Sequence, residues 1–166
     1  ENLFTAINWC EDSFNTSNDK VVKNIISSVL GDIYFEQNNF KSAKKWYLES
    51  LDNLEKQSEK SDEANKIANK YFDAKHYTTS SYWYKVAVDN GNKDAMFRLA
   101  YSYNARKIYN EAIKYYKQYI TDTDSSDAMQ NLGSLYKDIK DYKKAVYWLN
   151  KAIEKGNKNV YFNLGY

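Results

Sequence analysis

The chain has 166 residues, of which 43% are hydrophobic, 17% aromatic and 28% charged. Its 24 basic and 22 acidic residues are mixed along the chain and leave a net charge of +2, a balance that does not indicate nucleic-acid binding. Pro is absent and Gly occurs only 5 times, so the turn residues that β-sandwiches and barrels require are scarce. The composition therefore predicts a folded all-α protein and argues against disorder.

No stretch reaches the roughly 18 apolar residues that a membrane-spanning helix needs, and residues 1–15 contain no basic leader. We therefore expect a soluble protein without membrane insertion. No targeting segment is visible, and the compartment stays open, with the cytoplasm favoured.

Taken in chain order, the sequence predicts a series of helix pairs. Residues 1–18 are expected to form the second helix of a preceding unit, because Ala6, Cys10 and Ser13 follow the spacing of such a helix. Four complete units then follow, and a fifth begins before the chain ends. Their predicted bounds are 21–57, 61–90, 93–122, 126–156 and 158–166. The incomplete units at both ends predict that the chain is a section of a longer array.

Each complete unit repeats one order of residues. A large aliphatic residue precedes a small one, Tyr follows three positions later, and an aromatic residue and a second small residue follow at fixed spacing. We expect the first small residues where the two helices of a pair cross, since a larger side chain would push the axes beyond about 8–10 Å. These residues are Gly31, Ala68, Ala100 and Gly133. Their expected partners in the second helices are Ala43, Ser80, Ala112 and Ala145.

Residue types at the predicted helix ends support the division into units. Gly91 and Gly156 are expected to end helices with a positive φ angle. Ser61, Ser126 and Asp127 are expected to cap the helices that follow.

The repeated order of Leu-Gly or Leu-Ala, Tyr, aromatic, Ala and Tyr resembles the tetratricopeptide repeat over essentially the whole chain. The resemblance implies a right-handed α-solenoid of antiparallel helix hairpins that binds a protein or a peptide. Residues 87–95 (AVDNGNKDA) and 152–160 (AIEKGNKNV) are similar to the Sel-one-like branch, in which Gly replaces Pro at the junction between hairpins. The Gly-rich turn of that branch is absent here, where residues 37–39 read QNN and residues 138–140 read DIK.

In a stack of this family the first helix of each pair lines the concave side, so the resemblance also implies which residues face the groove. We predict that the groove is formed by Asn65, Lys66, Asn69, Phe72, Asp94, Phe97, Arg98, Tyr101, Asn104, Gln130, Asn131 and Ser134. Asp32, Phe35 and Glu36 are expected at the same level of the first unit, and Lys137, Phe162 and Asn163 further along. Amide side chains can bond both the N–H and the C=O groups of an extended peptide.

Three alternatives stay open at these positions. The exposed amides can simply be solvated. Phe97 and Tyr101 can form an aromatic ledge for an apolar anchor, or they can pack against neighbouring helices. Lys66, Asn69 and Arg98 partly resemble the Lys/Asn/Arg clamp with which some relatives bind acidic C-terminal tails, but the spacing differs and the second Lys is missing.

No catalytic set is expected in this sequence. Cys10 and His76 lie two units apart, and at about 10 Å per packed helix layer their side chains cannot reach each other. We expect Cys10 to pack as a small apolar residue and His76 to be solvated in a turn. Ligands for zinc are too few, and residues 122–127 fit a capping loop better than a calcium loop, since Asp127 stands where the turn Gly is needed. We therefore predict no enzyme activity, no cofactor and no metal.

The predicted function is a protein–protein interaction module or scaffold, whose groove takes a peptide or a partner helix. RNA-reading helical repeats are disfavoured by the mixed charge and by the Gly/Ala crossing pattern. The alternative from another class is a structural spacer that self-associates end to end through exposed terminal helices.

Overall fold

A computed structural model describes residues 2–160 of the chain. Within this range the chain forms nine α-helices and no β-strand, which confirms the predicted all-α fold class. The helices are α1 (Asn2–Thr16), α2 (Lys20–Glu36), α3 (Phe40–Asp52), α4 (Gln57–Asp73), α5 (Tyr77–Asp89), α6 (Ala95–Ala105), α7 (Tyr109–Thr123), α8 (Ser126–Asp138) and α9 (Tyr142–Glu154). The fifth unit predicted at 158–166 lies mostly outside the described residues, and so do Phe162 and Asn163.

The chain divides into two compact units, and the boundary falls inside α4. Unit 1 ends at Ala64 and unit 2 begins at Asn65. Unit 1 therefore holds α1 to α3 with the first part of α4, and unit 2 holds the rest of α4 with α5 to α9. None of the helices in residues 2–160 combines the length and the apolar character of a membrane-spanning segment.

The core of unit 1 forms around Ile7, Leu30 and Trp46, which come from α1, α2 and α3. Phe14 meets Trp46 edge-on, with the ring centroids 5.3 Å apart. Cys10 packs against the same cluster, as expected for a small apolar side chain. These contacts bury the side of α2 that carries Leu30 and leave its opposite side in solvent.

Small residues lie where the helices of a hairpin cross, as predicted. A Cβ atom on Gly31 would overlap the ring of Tyr47, and one on Gly133 would come within 2.7 Å of Leu149 Cγ. The nearest atoms to Gly31 thus belong to Tyr47 and not to Ala43, the predicted partner. The reason is that a helical side chain points back over the preceding turn, so the ring of Tyr47 covers the space beside Gly31.

In unit 2 each helix packs against the next along the chain, from α5 on α6 to α8 on α9, and α6 also contacts α8. The contact between α6 and α8 brings together the first helices of two successive hairpins. Buried residues of this unit include Trp83, Leu99, Tyr116, Leu132 and Leu149. Because α6 and α8 are neighbours, the side chains that they leave uncovered share one side of unit 2.

Each hairpin turn contains one non-glycine residue in the left-handed conformation, seven positions after the small crossing residue. These residues are Asn38, Lys75, Lys107 and Lys140, with φ between 59° and 64°. The connections that follow α5 and α9 use glycine instead. Gly91 has φ of 103° and Gly156 has φ of 85°, as predicted for these two positions.

The predicted N-terminal caps were wrong in detail. Ser61 caps no helix, because α4 begins at Gln57 and buries Ser61 within it. Ser125 is the residue that caps α8, accepting a hydrogen bond from the backbone N–H of Ala128 at 3.3 Å. Ser126 is instead the first residue of that helix.

Candidate functional site

Four of the predicted groove residues come together in unit 2. Asn69 and Phe72 lie on the second part of α4, and Arg98 and Tyr101 lie one turn apart on α6. A fifth residue, Tyr84 on α5, contacts them and is fully buried. We call these five residues the Arg98 cluster.

The ring of Phe72 is at the centre of the Arg98 cluster. The guanidinium carbon of Arg98 lies 5.1 Å from its centroid, within the range of a cation–π interaction. The rings of Tyr101 and Tyr84 lie 5.4 and 6.0 Å from it. The ring of Tyr77, on α5, also packs here, with its centroid 5.6 Å from that of Phe72 and 6.2 Å from that of Tyr101. Since Arg98 is exposed and Tyr101 is 40% exposed, the cluster presents a cation and an aromatic face to solvent.

The Tyr84 hydroxyl orients the side chain of Asn69 in the cluster. It donates a hydrogen bond to Oδ1 of Asn69 at 2.7 Å. Burial raises the pKa of Tyr84 to about 12, and the Arg98 guanidinium opposes this rise. The Asn69 amide is therefore oriented by an internal bond, and its NH2 group is the part that can donate to a ligand.

The same hydrogen bond occurs in the first hairpin of unit 1. The Tyr47 hydroxyl donates to Oδ1 of Asp32 at 2.7 Å. Asp32 and Asn69 occupy equivalent positions, directly after the small crossing residue of their unit. Asp32, which was predicted to face the groove, is thus engaged in holding its own hairpin together.

Phe97 and Tyr101 do not form one ledge, although they are one turn apart. The Phe97 ring lies 6.0 Å from Tyr116 and 5.7 Å from Tyr119, both on α7. The Tyr101 ring lies instead against Phe72. Phe97 therefore packs on its own hairpin, the alternative considered for both rings, whereas Tyr101 combines packing with an exposed face.

Tyr116 carries a buried hydroxyl with no hydrogen-bond partner among residues 2–160. Tyr101 stands at the position where Asp32 and Asn69 accept this bond in the other hairpins. Burial raises the pKa of Tyr116, Tyr101 adds to the rise, and the Asn131 side chain opposes it. Tyr101 lies on α6 and Asn131 on α8, two helices that contact each other.

The remaining predicted groove residues lie on α4, α6 and α8, or directly before α6, and are at least partly exposed. Exposed side chains are Lys66 and Asp94, and partly exposed ones are Asn65, Asn104, Gln130 and Ser134. Asp94 precedes α6 but makes no capping bond. Asn92 makes it instead, accepting from the backbone N–H of Ala95 at 3.1 Å.

Unit 1 carries an exposed apolar surface that the sequence prediction missed. It consists of Val21, Val22, Ile25 and Val29 on α2, which are 39–67% exposed. We call it the α2 aliphatic face. Val29 occupies the position that Arg98 has in the third unit, two residues before the small crossing residue. Alignment of the units thus gives a signal for this face, namely apolar residues at positions that are polar elsewhere.

The Arg98 cluster differs in its chemistry from a metal site. No three His, Cys, Asp or Glu side chains in residues 2–160 are grouped so that they could hold a metal ion. His76 is exposed at the start of α5, and its ring lies 6.4 Å from that of Tyr71. The Arg98 cluster consists of a guanidinium, an amide and aromatic rings, groups that bind and orient a ligand.

Helix hairpins with small residues at their crossings define a helical-repeat protein. Family models described as Tetratricopeptide repeat match residues 28–53, 94–122 and 126–154. The chain belongs to the tetratricopeptide repeat family, whose members are generally non-catalytic protein-interaction modules. Its placement in the Sel-one-like branch stays a prediction.

Solved structures share the fold at low sequence identity. MamA is 18% identical with a TM-score of 0.63, over 95% of this chain and 90% of MamA. YrrB, described as a TPR protein with an unusual peptide-binding site, is 16% identical with a TM-score of 0.67, over 99% of this chain and 84% of YrrB. A chain of the APC/C hetero-tetramer Cut9-Hcn1 is 14% identical with a TM-score of 0.59, over 81% of this chain and 27% of that chain. The comparison with curated protein sequences gives no match.

Proposed function

We propose that this chain is a protein–protein interaction module that binds a peptide segment at the Arg98 cluster of unit 2. One observation carries the proposal: an exposed cation and an exposed aromatic ring converge on Phe72, although they come from a different helix. Side chains held by such contacts lose little conformational freedom when a ligand binds, which favours affinity.

The groups of the cluster define the ligand that it suits. The Arg98 guanidinium presents several N–H donors in a planar fork that matches a carboxylate or a pair of carbonyl oxygens. The Asn69 NH2 group can donate to a peptide carbonyl, and the Tyr101 face can take an apolar or aromatic side chain. The expected ligand is a peptide in which an acidic residue lies near an apolar or aromatic one.

The charges of the predicted groove residues in unit 2 favour a protein or peptide partner over a nucleic acid. The predicted groove residues of unit 2 contain two cations, Lys66 and Arg98, together with the carboxylate of Asp94. Binding to a phosphate backbone instead needs a row of basic side chains. The peptide-binding description of YrrB, which shares the fold, agrees with the proposed class of ligand.

A peptide library tests the proposal directly. Peptides selected on the wild-type chain are labelled, and their affinities are measured by fluorescence anisotropy for the wild type and for an Arg98→Ala/Tyr101→Ala variant. We expect the variant to bind at least tenfold more weakly, about 1.4 kcal/mol or more. Phe97 is left unchanged because its ring packs on α7.

A matched control removes a cation and a tyrosine elsewhere in unit 2. Lys114 is exposed and Tyr147 is 51% exposed, and neither belongs to the cluster. The Lys114→Ala/Tyr147→Ala variant should bind the selected peptides as the wild type does. Equal affinities for the wild type and the Arg98→Ala/Tyr101→Ala variant, with helical circular dichroism preserved, would refute the proposal.

End-to-end self-association is a second candidate, favoured by α1. Phe4 is 72% exposed and Trp9 is 75% exposed on this helix, which is unusual for large apolar side chains. Self-association predicts a solution mass that grows with protein concentration and returns to the monomer mass in a Phe4→Ser/Trp9→Ser variant. A constant monomer mass would exclude it.

A further inference from the structure

The two units of the chain carry net charges of opposite sign. Unit 1 contains 7 basic and 12 acidic residues, and unit 2 contains 17 basic and 10 acidic residues. The net charge of +2 is thus the sum of −5 in unit 1 and +7 in unit 2. An excess of positive charge confined to one compact unit indicates an anionic partner for that unit.

The positive charge of unit 2 is concentrated at the turns within its hairpins. Because consecutive helices are antiparallel, the three hairpin turns lie at one edge of the unit and the connections between hairpins lie at the opposite edge. The segments around the turns, residues 70–78, 103–111 and 136–144, hold 8 basic and 4 acidic residues. The connections between hairpins, residues 88–96 and 121–129, hold 1 basic and 5 acidic residues. We call the edge that carries the three turns the turn edge.

The three turns share one backbone conformation, with a lysine at the apex of each. Lys75, Lys107 and Lys140 have φ of 61°, 59° and 64°. The backbone N–H of each lysine donates to the carbonyl oxygen three residues earlier, at 2.8, 2.8 and 2.9 Å. Glycine avoids the steric cost of this conformation, and Asn38, at the equivalent turn of unit 1, tolerates it better than lysine does. Lysine at all three apices of unit 2 therefore indicates a role for its charge.

Lysine side chains of the turn edge are available to a partner. Five of them are exposed and form no ion pair within residues 2–160, namely Lys75, Lys107, Lys137, Lys140 and Lys143. Two other cations of this edge are engaged, since Lys144 pairs with Asp141 at 2.6 Å and the Arg106 guanidinium donates to Ser81 Oγ at 2.6 Å. The five available charges are ammonium groups, which attract an anionic surface as point charges without the fixed geometry of a guanidinium.

Apolar side chains accompany two of the apex lysines. Ile108 directly follows Lys107 and is partly exposed, and Ile139 directly precedes Lys140 and is 37% exposed. The boundary between headgroups and acyl chains of a bilayer accepts an ammonium group and an apolar side chain next to each other. The phosphate backbone of a nucleic acid and the carboxylates of an acidic polypeptide match the lysines alone. The composition of the turn edge thus favours a lipid surface.

We propose that the turn edge of unit 2 docks the chain on the surface of an anionic lipid bilayer, without insertion of a helix. The apices of three successive hairpins form a row, so that several lysines can approach the headgroups at once. Their attractions to an anionic leaflet add up, as in other polybasic segments. This inference goes beyond the peptide site of unit 2, since none of the side chains that it invokes belongs to the Arg98 cluster.

Vesicle binding by the full chain tests the inference. Sucrose-loaded vesicles of phosphatidylcholine alone are compared with vesicles in which half of the lipid is phosphatidylserine, and bound protein is measured after sedimentation. At low salt we expect at least tenfold tighter binding to the phosphatidylserine vesicles. The affinity should fall as salt is added, because the lysines are exposed and their charges are screened.

A variant without the apex charges locates the contact. Lys75→Gln/Lys107→Gln/Lys140→Gln should bind the phosphatidylserine vesicles at least tenfold more weakly than the wild type. Glutamine has a similar length and a similar steric cost in the left-handed conformation, so helical circular dichroism should be unchanged.

A matched control removes the same charge from unit 2 outside the hairpin turns. Lys93 precedes α6, Lys117 lies in the second half of α7 and Lys158 follows α9, and all three are exposed. The Lys93→Gln/Lys117→Gln/Lys158→Gln variant should bind the vesicles like the wild type. Arg98→Ala/Tyr101→Ala should also bind them like the wild type, so failure of the peptide proposal would not affect this test.

Three outcomes would overturn the inference. The first is equal binding to vesicles of phosphatidylcholine alone, which would remove the role of charge. The second is an equal loss of vesicle binding in the apex variant and in the matched control, which would assign the attraction to the net charge of the chain and not to the turn edge. The third is tighter binding of RNA or polyglutamate than of the vesicles, lost in the apex variant, which would make a polyanion in solution the partner of these lysines.

Discussion

Two hairpins, α2–α3 in unit 1 and α6–α7 in unit 2, each bury a tyrosine at the same position. They differ in whether the tyrosine hydroxyl has a hydrogen-bond acceptor. The Tyr47 hydroxyl donates to the Asp32 carboxylate at 2.7 Å. The Tyr116 hydroxyl has no such partner within the described part of the chain, because Tyr101 stands where Asp32 does. A buried polar group without a partner costs about 1–3 kcal/mol.

The difference shows that the residue after the small crossing residue can either close its hairpin with a hydrogen bond or carry a partly exposed ring. A polar residue there closes the hairpin with a hydrogen bond, as Asp32 and Asn69 do. Tyr101 makes no such bond to Tyr116, and its ring instead lies beside Phe72 with 40% of its surface exposed. We interpret the α6–α7 hairpin as one that gives up internal bonding for a surface-facing ring.

The largest expected effect is a loss of stability at alkaline pH, and it concerns unit 2. Burial raises the pKa of Tyr71 and of Tyr84 from 10.0 to about 12, and it also raises the pKa of Tyr116. Between pH 10 and 12 these hydroxyls ionise in the unfolded chain but not in the folded one. The free energy of unfolding should therefore fall as pH rises through this window. Each tyrosine whose pKa is two units higher in the folded than in the unfolded chain contributes a loss of up to about 2.7 kcal/mol.

Urea unfolding followed by helical circular dichroism at several pH values checks this slope. The Tyr71→Phe variant separates tyrosine from the lysines, which also titrate in this range. In this variant the free energy of unfolding should fall less steeply with pH, by about the contribution of one tyrosine. The same slope in the variant and the wild type would assign the alkaline loss to other groups.

Replacing each tyrosine by phenylalanine tests the comparison itself, with intermediate effects. Tyr47→Phe should cost about 2 kcal/mol, because it removes a hydrogen bond to a charged acceptor, and Tyr84→Phe should cost about 1 kcal/mol. Tyr116→Phe should leave stability unchanged or raise it, since it removes a buried hydroxyl that has no partner in residues 2–160. Urea unfolding at neutral pH measures all three, and a similar loss for Tyr116→Phe and Tyr84→Phe would break the contrast between the hairpins.

The smallest effect is expected for the surface ion pair of unit 1. Lys20 and Glu55 are 2.9 Å apart, but their side chains are 62% and 75% exposed. Lys20→Ala should therefore leave the midpoint of urea unfolding unchanged within error, although Lys20 lowers the pKa of Glu55. A clear drop in the midpoint would show that exposed charges, as well as buried hydroxyls, distinguish the two units.

Much of the fold could be predicted because the pattern recurs. Small residues such as Gly31 and Gly133 mark the crossings at a fixed place in each unit, and glycines mark the ends of α5 and α9. The start of α4 could not be predicted in the same way. Residues 57–60 (QSEK) are polar residues compatible with either a loop or a helix, so Ser61 resembles a cap even though it lies inside the helix.

The candidate site was predicted only in part, because ring contacts depend on rotamers and neighbouring helices. The helical spacing places Arg98 and Tyr101 on one side of α6, but spacing alone does not show that Phe97 turns to α7 and Tyr101 to Phe72. The α2 aliphatic face illustrates the opposite error. Valine and isoleucine in a helix are usually core residues, and only the packing shows that Ile25 is exposed.

The residues in left-handed conformation in the hairpin turns allow the stability of single hairpins to be changed by small amounts. Lys75, Lys107 and Lys140 hold a conformation that glycine adopts without steric penalty and other L-residues adopt at a cost of roughly 1–2 kcal/mol. Glycine there would relieve this strain, offset in part by the greater entropy of the unfolded chain. Since repeat proteins sum the stabilities of their units and interfaces, such changes would alter the stability of one hairpin at a time and leave the proposed Arg98 cluster unchanged.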